Sequence, residues 1–237
     1  MKKAILTGAN GQLGLEFLKT LIQENYIVYA IDLKLHNLPK HEQIIPILLD
    51  ITDEENVHKF YTSLSSVNLL INNAGIGVFS SFEERTAAEF KNVMNVNLLG
   101  TFLMSQGAVK KMKESGGGKI VHIGSIYGLV SSDERIYGDS GRNNSEVYSA
   151  TKAGVIHMTK YMATHFAKYN ILTNCISPGG IYNQQSEEFI QNYEYKNPMN
   201  RMGRPNDLQS TLKYLISEET QYLNGQNIAV DGGFIAW

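Results

Sequence analysis

The sequence predicts an α/β fold: a parallel sheet wound on both faces by helices, with right-handed crossovers. Three observations predict it. Short apolar runs alternate with helical patterns of 3.6 period from residue 3 to residue 230. The run at 67–71 is apolar apart from Asn68, as expected of a parallel strand buried on both faces. Small or polar turns close the runs, at Thr7-Gly8, Asp32, Asn72-Asn73, Ser125 and Pro178-Gly179. Ligands of such sheets sit at the carboxyl ends of the strands, so these turns are expected to meet on one edge.

The first strand is expected at residues 3–7 and leads into Thr7-Gly8-Ala9-Asn10-Gly11-Gln12-Leu13-Gly14. A helical stripe follows through Leu13, Phe17, Leu18, Leu21 and Ile22. Strand, glycine turn, helix is the setting of a dinucleotide site, where glycines admit a pyrophosphate and the helix N-terminus offers it N–H groups. A plain strand-to-helix turn would look similar. The second strand, 27–31, ends at Asp32. A carboxylate there can accept both ribose hydroxyls of NAD and repels a 2′-phosphate, although Lys34 softens that repulsion. NAD is therefore expected, with NADP still open.

The third strand, 44–49, ends in Asp50-Ile51-Thr52-Asp53. Thr52 or Asp53 can cap the next helix, and Asp50 suits either an adenine amino group or a turn. The fourth strand, 67–71, ends in Asn72-Asn73-Ala74-Gly75, small enough for a flat cofactor to lie against backbone. A long helix is expected over 86–113, with Asn97 set among apolar neighbours. A buried asparagine is costly unless bonded, so Asn97 is a satisfied core group or a functional one. The fifth strand, 119–123, ends in Gly124-Ser125-Ile126-Tyr127-Gly128.

Residues 129–147 form a polar, turn-rich stretch, read as an inserted loop. A sixth strand at 171–177 ends in Pro178-Gly179-Gly180, and 181–200 is polar and aromatic, fitting a substrate lid better than a core element. A helix from Pro205 and a strand at 227–230 complete the chain, expected to be one domain over 1–237.

Tyr148 and Lys152 lie one helical turn apart, on one face. A free phenol ionises near pH 10, and an ammonium one turn away stabilises the phenolate, suiting it to hydroxyl–carbonyl interconversion. Two surface residues on an amphipathic helix would show the same spacing. A net charge of −2 gives no electrostatic reason to expect nucleic acid or an anionic membrane. No uninterrupted apolar stretch is long enough to span a bilayer, and Ala4-Ile5-Leu6 is too short for a signal peptide. One cysteine, Cys175, excludes an internal disulfide and fits a reducing, cytoplasmic setting. The six histidines show no ligand spacing, so no metal is expected.

Taken together and in order, these turns resemble the short-chain dehydrogenase/reductase family, in its single-domain branch, over essentially the whole chain. Asn95-Val96-Asn97-Leu98-Leu99-Gly100, Arg201-Met202-Gly203-Arg204-Pro205 and Asn224-Gly225-Gln226 to Gly233 belong to the same match. The resemblance implies a Rossmann-like sheet of about seven strands, order 3-2-1-4-5-6-7. It implies a catalytic tetrad of Asn97, Ser125, Tyr148 and Lys152. Tyr148 would be the acid/base, Ser125 would polarise a carbonyl, Lys152 would stabilise the phenolate and hold the nicotinamide ribose, and Asn97 would order a relay water. Cofactor contacts would come from Gly8, Asn10, Gly11, Gln12, Leu13, Gly14, Asp32, Asp50, Ile51, Asn73, Ala74 and Gly75. Tyr148, Lys152, Pro178, Gly179 and Ile181 would complete that set. Substrate would meet Ser125, Tyr127, Tyr148 and Gly180.

The sequence departs from the family in three places. The spacing Gly8, Gly11, Gly14 resembles the extended, nucleotide-sugar-modifying branch, whose added substrate domain this chain is too short to hold. The connection from Ser125 to Tyr148 is longer than relatives carry, and Asn183 stands where they often place a threonine. The surplus is the polar loop, expected to border the substrate. Tyr127, Asp133, Arg135, Tyr137, Asp139, Arg142, Tyr182, Gln184 and Gln185 offer hydrogen bonds rather than apolar surface, favouring a small polyhydroxylated substrate. Arg135 or Arg142 can meet a sugar phosphate. The stretch from Tyr148 to Gly233 also resembles relatives in sialic-acid-like sugar and flagellin glycan precursor pathways. A 3-oxoacyl or carbonyl reductase using NADPH, and a dinucleotide sensor without turnover, are the competing readings. The family further implies a homodimer or homotetramer, and the apolar end Phe234-Ile235-Ala236-Trp237 is expected at a subunit contact.

Overall fold

Apolar residues run through Lys2–Thr7 (β1), Tyr26–Asp32 (β2) and Leu69–Asn72 (β4), and each strand is buried where it crosses the middle of the sheet. Ile44–Leu48 (β3), Gly118–Ile123 (β5), Ile171–Pro178 (β6) and Asn227–Val230 (β7) complete the set. In the computed structural model, which describes residues 1–140 and 142–237, these seven strands form one sheet in the order β3-β2-β1-β4-β5-β6-β7. Every pairing is parallel, as in Leu6↔Ala30 and Leu6↔Ile71. The order reverses between β1 and β4, which opens a crevice at their carboxyl ends.

Two helical layers bury the faces. Gln12–Gln23 (α1) and Gln209–Ile216 (α7) set Phe17, Leu18, Leu21, Leu212 and Leu215 against Leu6, Val28 and Val121. On the other face lie Glu54–Ser63 (α2), Thr101–Glu114 (α4) and Glu146–Phe166 (α5). There Val57, Met104, Met112 and Met162 cover Ile5, Leu70 and Ile120. Asp53 caps α2 by accepting from Asn56 N at 3.0 Å, which settles the choice between Thr52 and Asp53. Cys175 is fully buried.

The helix expected over 86–113 is three elements. Ala87–Met94 (α3) starts with a capping box, in which Thr86 Oγ1 accepts from Glu89 N and Glu89 accepts from Thr86 N at 2.8 Å. A π-helical turn, Asn95–Gly100, then separates α3 from α4. Such turns recur at functional sites because the extra residue re-aims a side chain. Here it buries Asn97 and bonds Asn97 O to Thr101 Oγ1 at 2.8 Å. Hydrophobic periodicity carries no mark of a single inserted residue, so the pattern reads as unbroken.

The stretch 181–200 also differs from its polar reading. It contains Glu187–Lys196 (α6), capped by Ser186, and Tyr193 is 1% exposed. Tyr193 stacks on Phe234, with ring centroids 4.8 Å apart. These residues join Ile126, Ile136, Tyr137 and Met202 in a third apolar cluster. Ile136 and Tyr137 come from a 3₁₀ turn, Glu134–Tyr137, inside the polar insertion. At the apolar C-terminal end, Phe234 is buried in its own chain, while Trp237 is 80% exposed.

Candidate active site

One cleft runs along the carboxyl edge of the sheet, and it is lined by Gly8, Asp32, Ala74, Ser125, Tyr148 and Gly179 among others. Its first end is made of backbone. Gly8 has φ +64, and a side chain there would press on Ala74 Cα at 2.8 Å. A Cβ on Gly14 would run into Gly8 O, so Gly14 lets α1 close against the turn from behind. Gly11 is the N-cap of α1, with no side-chain cap and no acidic residue in the first turn. The leading N–H groups of this helix therefore remain open to an anion. Thr7 Oγ1 accepts from Asn73 N and Ala74 N at 3.0 and 3.1 Å, locking the ends of β1 and β4 together. Asn73 Nδ2 donates to Gly8 O at 2.9 Å, which adds a second tie. Asp32 Oδ2 accepts from Asn10 N at 3.0 Å, so the glycine turn itself aims the carboxylate. Asp50 Oδ1 accepts from both Thr52 N and Thr52 Oγ1, a turn role that still leaves Asp50 on the cleft wall.

The middle of the cleft holds Ser125, Tyr148 and Lys152. Ser125 follows β5, and its Oγ accepts from Tyr127 N at 3.1 Å. The hydroxyl proton stays available to an incoming oxygen. Tyr148 and Lys152 rise one turn apart from α5, which Ser145 caps. Lys152 is 6% exposed, and its Nζ donates to Ile123 O at 2.7 Å. That bond holds the ammonium beneath the tyrosine, with Nζ 5.6 Å from the Tyr148 ring centre. Asn97 stands behind them. Its Oδ1 accepts from Ile76 N at 2.8 Å, and its Nδ2 donates to Ile76 O and Thr151 Oγ1. Asn97 is thus satisfied and also beside the site: Gly75 lies against both its Oδ1 and Lys152 Nζ.

The family profile described as enoyl-(acyl carrier protein) reductase matches residues 28–235. The 3-oxoacyl-(acyl-carrier-protein) reductase of Thermotoga maritima is 31% identical over 99% of this chain and 98% of that protein. The chain belongs to the short-chain dehydrogenase/reductase family. Another member, the NADH-dependent L-xylulose reductase of Ambrosiozyma monospora, is 34% identical over 91% of this chain and 81% of that one. A short-chain dehydrogenase from Leptospira borgpetersenii serovar Hardjo-bovis, solved with bound NAD+, superposes with a TM-score of 0.94. It shares 44% identity, over 98% of this chain and 92% of that one. This short-chain dehydrogenase/reductase is accordingly an NAD(P)-linked oxidoreductase.

Most positions expected from the sequence line this dehydrogenase's cleft: Gly11, Gln12, Leu13, Ile51, Tyr127, Pro178, Gly180 and Ile181 do so besides those above. Asn10, Gly14 and Asn97 do not; they shape the turn and brace the wall. The other end draws on the insertion, whose Gly141 lies outside the described residues. Tyr137, Asn144, Asn183 and Gln185 line it, together with Phe79. Burial raises the Tyr127 hydroxyl far above the ordinary tyrosine range, and the neighbouring Tyr137 adds to the effect. Both phenols are therefore neutral donors at any working pH. Asp133, Arg135, Asp139, Arg142, Tyr182 and Gln184 lie off the cleft wall. Asp133 instead accepts from Arg135 and from Lys196 on α6, bracing the insertion. Phe79 and Asn144 had no sequence signal beyond lying in polar stretches. Among the described residues, no three His, Cys, Asp or Glu side chains gather as a metal site, and no helix is long and apolar enough to cross a membrane.

Proposed function

We propose that the chain uses NAD(H) to interconvert a hydroxyl and a carbonyl on a small polar substrate, a sugar or sugar derivative, with Tyr148 as general acid/base. The observation that carries this reading is Lys152 Nζ, fixed by Ile123 O at 2.7 Å under Tyr148 and beside Ser125 in one cleft. A dinucleotide fits the residues present. The uncapped start of α1 and the bare Gly8 turn suit a pyrophosphate, and Asp32 suits the ribose hydroxyls. Asp32 also carries the preference for NAD, since its charge opposes a 2′-phosphate. The relative solved with NAD+ agrees.

Bound nicotinamide supplies or takes the hydride. The chain's own groups handle the oxygen. In the reducing direction the Ser125 hydroxyl donates a hydrogen bond to the substrate carbonyl and stabilises the charge that builds on it. The Tyr148 hydroxyl then gives its proton to that oxygen, leaving a phenolate that the Lys152 ammonium stabilises. Oxidation runs the same path backwards, with Tyr148 as base. Asn97 holds the Ile76 backbone and Thr151 in place, so that the wall behind Lys152 keeps its form. A homodimer or homotetramer built on α4 and α5 is part of this proposal. Exposed Phe102 and Tyr161 on those helices support it.

The relatives named as acyl-carrier-protein reductases favour a second reading, an NADPH-dependent 3-oxoacyl reductase. Titration with NAD, NADH, NADP and NADPH separates the two, followed by turnover of polyols, sugars and a 3-oxoacyl thioester with the best binder. Tight NAD(H) binding with sugar turnover is the expected result. Preference for NADPH with thioester turnover would establish the second reading.

A further inference from the structure

The insertion carries two arginines, both outside the cleft wall, and the structure gives them opposite circumstances. Arg135 is 85% exposed at its side chain and already bound by Asp133 through two nitrogens at 2.8 and 2.7 Å. Its charge is spent on bracing the loop. Arg142 has no carboxylate partner among the described residues. Its guanidinium lies over the Phe79 ring, 4.3 Å from the centroid. Stacking of this kind holds the plane of an arginine while leaving its N–H edge open.

Phe79 in turn belongs to the reacting end of the cleft. The position where a Gly77 side chain would start lies 3.6 Å from the Phe79 ring and 3.9 Å from Tyr148. The backbone of Arg142 is anchored as well, since its N donates to Ser140 Oγ, which donates to Tyr137 O at 2.6 Å. Tyr137, which accepts that second bond, is itself a cleft residue. The carboxylates on the cleft wall, Asp32 and Asp50, both lie at the dinucleotide end. The other end therefore offers neutral donors and one outer cation with an open edge.

We infer that Arg142 receives an oxyanion, a carboxylate or phosphate, carried by the substrate away from its reacting carbon. This rests on the proposed reaction of a small polar substrate at Tyr148 with NAD(H), but anion binding itself does not need turnover. Arg142 and Phe79 would select charged over neutral polyols of the same length. The cradle is a property of this insertion.

Calorimetric titration tests it, on the full chain with and without NADH. The probes are sorbitol, gluconate and sorbitol 6-phosphate, so that the two anions separate carboxylate from phosphate. Wild-type protein is expected to bind one of the anions roughly tenfold to hundredfold tighter than sorbitol, the effect of one charge-assisted contact. Arg142→Gln is expected to lose that preference while keeping sorbitol and NADH affinity, and Arg142→Lys to recover part of it. Arg135→Gln is expected to keep the preference. Equal affinity for anions and sorbitol in the wild type overturns the inference, as does a preference that survives Arg142→Gln. Failure to bind NADH, with anion preference intact, would instead overturn the NAD(H) reading of the proposed function.

Discussion

At the dinucleotide end of the cleft the wall is backbone: Gly8, Gly11, Ala74 and Gly179 at strand ends, tied by Thr7 and Asn73. At the substrate end it is side chains: Tyr127, Tyr137, Asn144, Gln185 and Phe79, delivered by loops and short turns. At Gly8, Gly14 and Gly179 the first end tolerates no added side chain, because its shape is set by how near backbone segments approach. The second is set by which side chains project, and by braces such as Asp133 to Lys196 at 2.5 Å. A shared cofactor and divergent substrates call for that division.

Changes at the two ends should therefore fail in different ways. The largest effect on cofactor binding is expected from Gly14→Val, whose side chain cannot fit beside Gly8 O and Ala9. NADH affinity should fall roughly a hundredfold or more, the scale of displacing a bound phosphate's backbone cradle. The matching change at the other end, Asn144→Ala, should raise KM several-fold and leave NADH affinity alone. Comparable loss of NADH binding in both would erase the distinction.

Next in size is Asp32→Ala. Removing one charge from the ribose site should cut the preference for NAD over NADP about tenfold to hundredfold. Binding constants for the four nucleotides read this directly. An unchanged ratio would move the discrimination to another residue.

A smaller effect concerns the sheet beneath both ends. His122 is fully buried, and burial, followed by the nearby Lys152 charge, lowers it to about 3. Its folded value lies below its unfolded one, so the unfolded chain binds the proton more readily. Stability is then full above about pH 6.5 and falls as the pH drops toward 3. At pH 5 the loss should be about 2 kcal/mol, at about 1.4 kcal/mol per pH unit. Urea midpoints at pH 7 and pH 5 measure it, and His122→Gln should flatten the difference. Smallest in effect on function is Cys175, whose buried thiol is pushed up to about 11. Iodoacetamide at pH 8 should label it only after denaturation, and rapid labelling of the native protein would show that the sheet opens there.

The division between the ends also explains what the sequence made legible. A glycine that must approach backbone has no substitute, so Gly8 and Gly14 stand out, as do Asp32 and the Asn72-Asn73-Ala74-Gly75 turn. Tyr148 and Lys152 are legible because one helical turn fixes their relation. Asn97 could be suspected, but its bonds to Ile76 and Thr151 depend on a π-helical turn that no periodicity announces. Composition hides the helix inside the stretch 181–200. Phe189, Ile190 and Tyr193 at helical spacing were the available sign of α6, masked by glutamate, glutamine and asparagine between them. Phe79 and Asn144 reach the cleft only through long-range packing, such as Arg85 bonding Ser80 and Glu146, and local sequence holds no trace of that.

The most direct test of the account is Tyr148→Phe, assayed for NADH affinity and for turnover of the wild-type protein's best substrate. The phenyl ring keeps the packing and removes only the proton-bearing oxygen. Turnover should fall about a thousandfold, within the range general acid/base catalysis supplies, while NADH binding stays unchanged. Undiminished turnover with intact NADH binding would contradict Tyr148 as the acid/base and, with it, the reason for fixing Lys152 to Ile123.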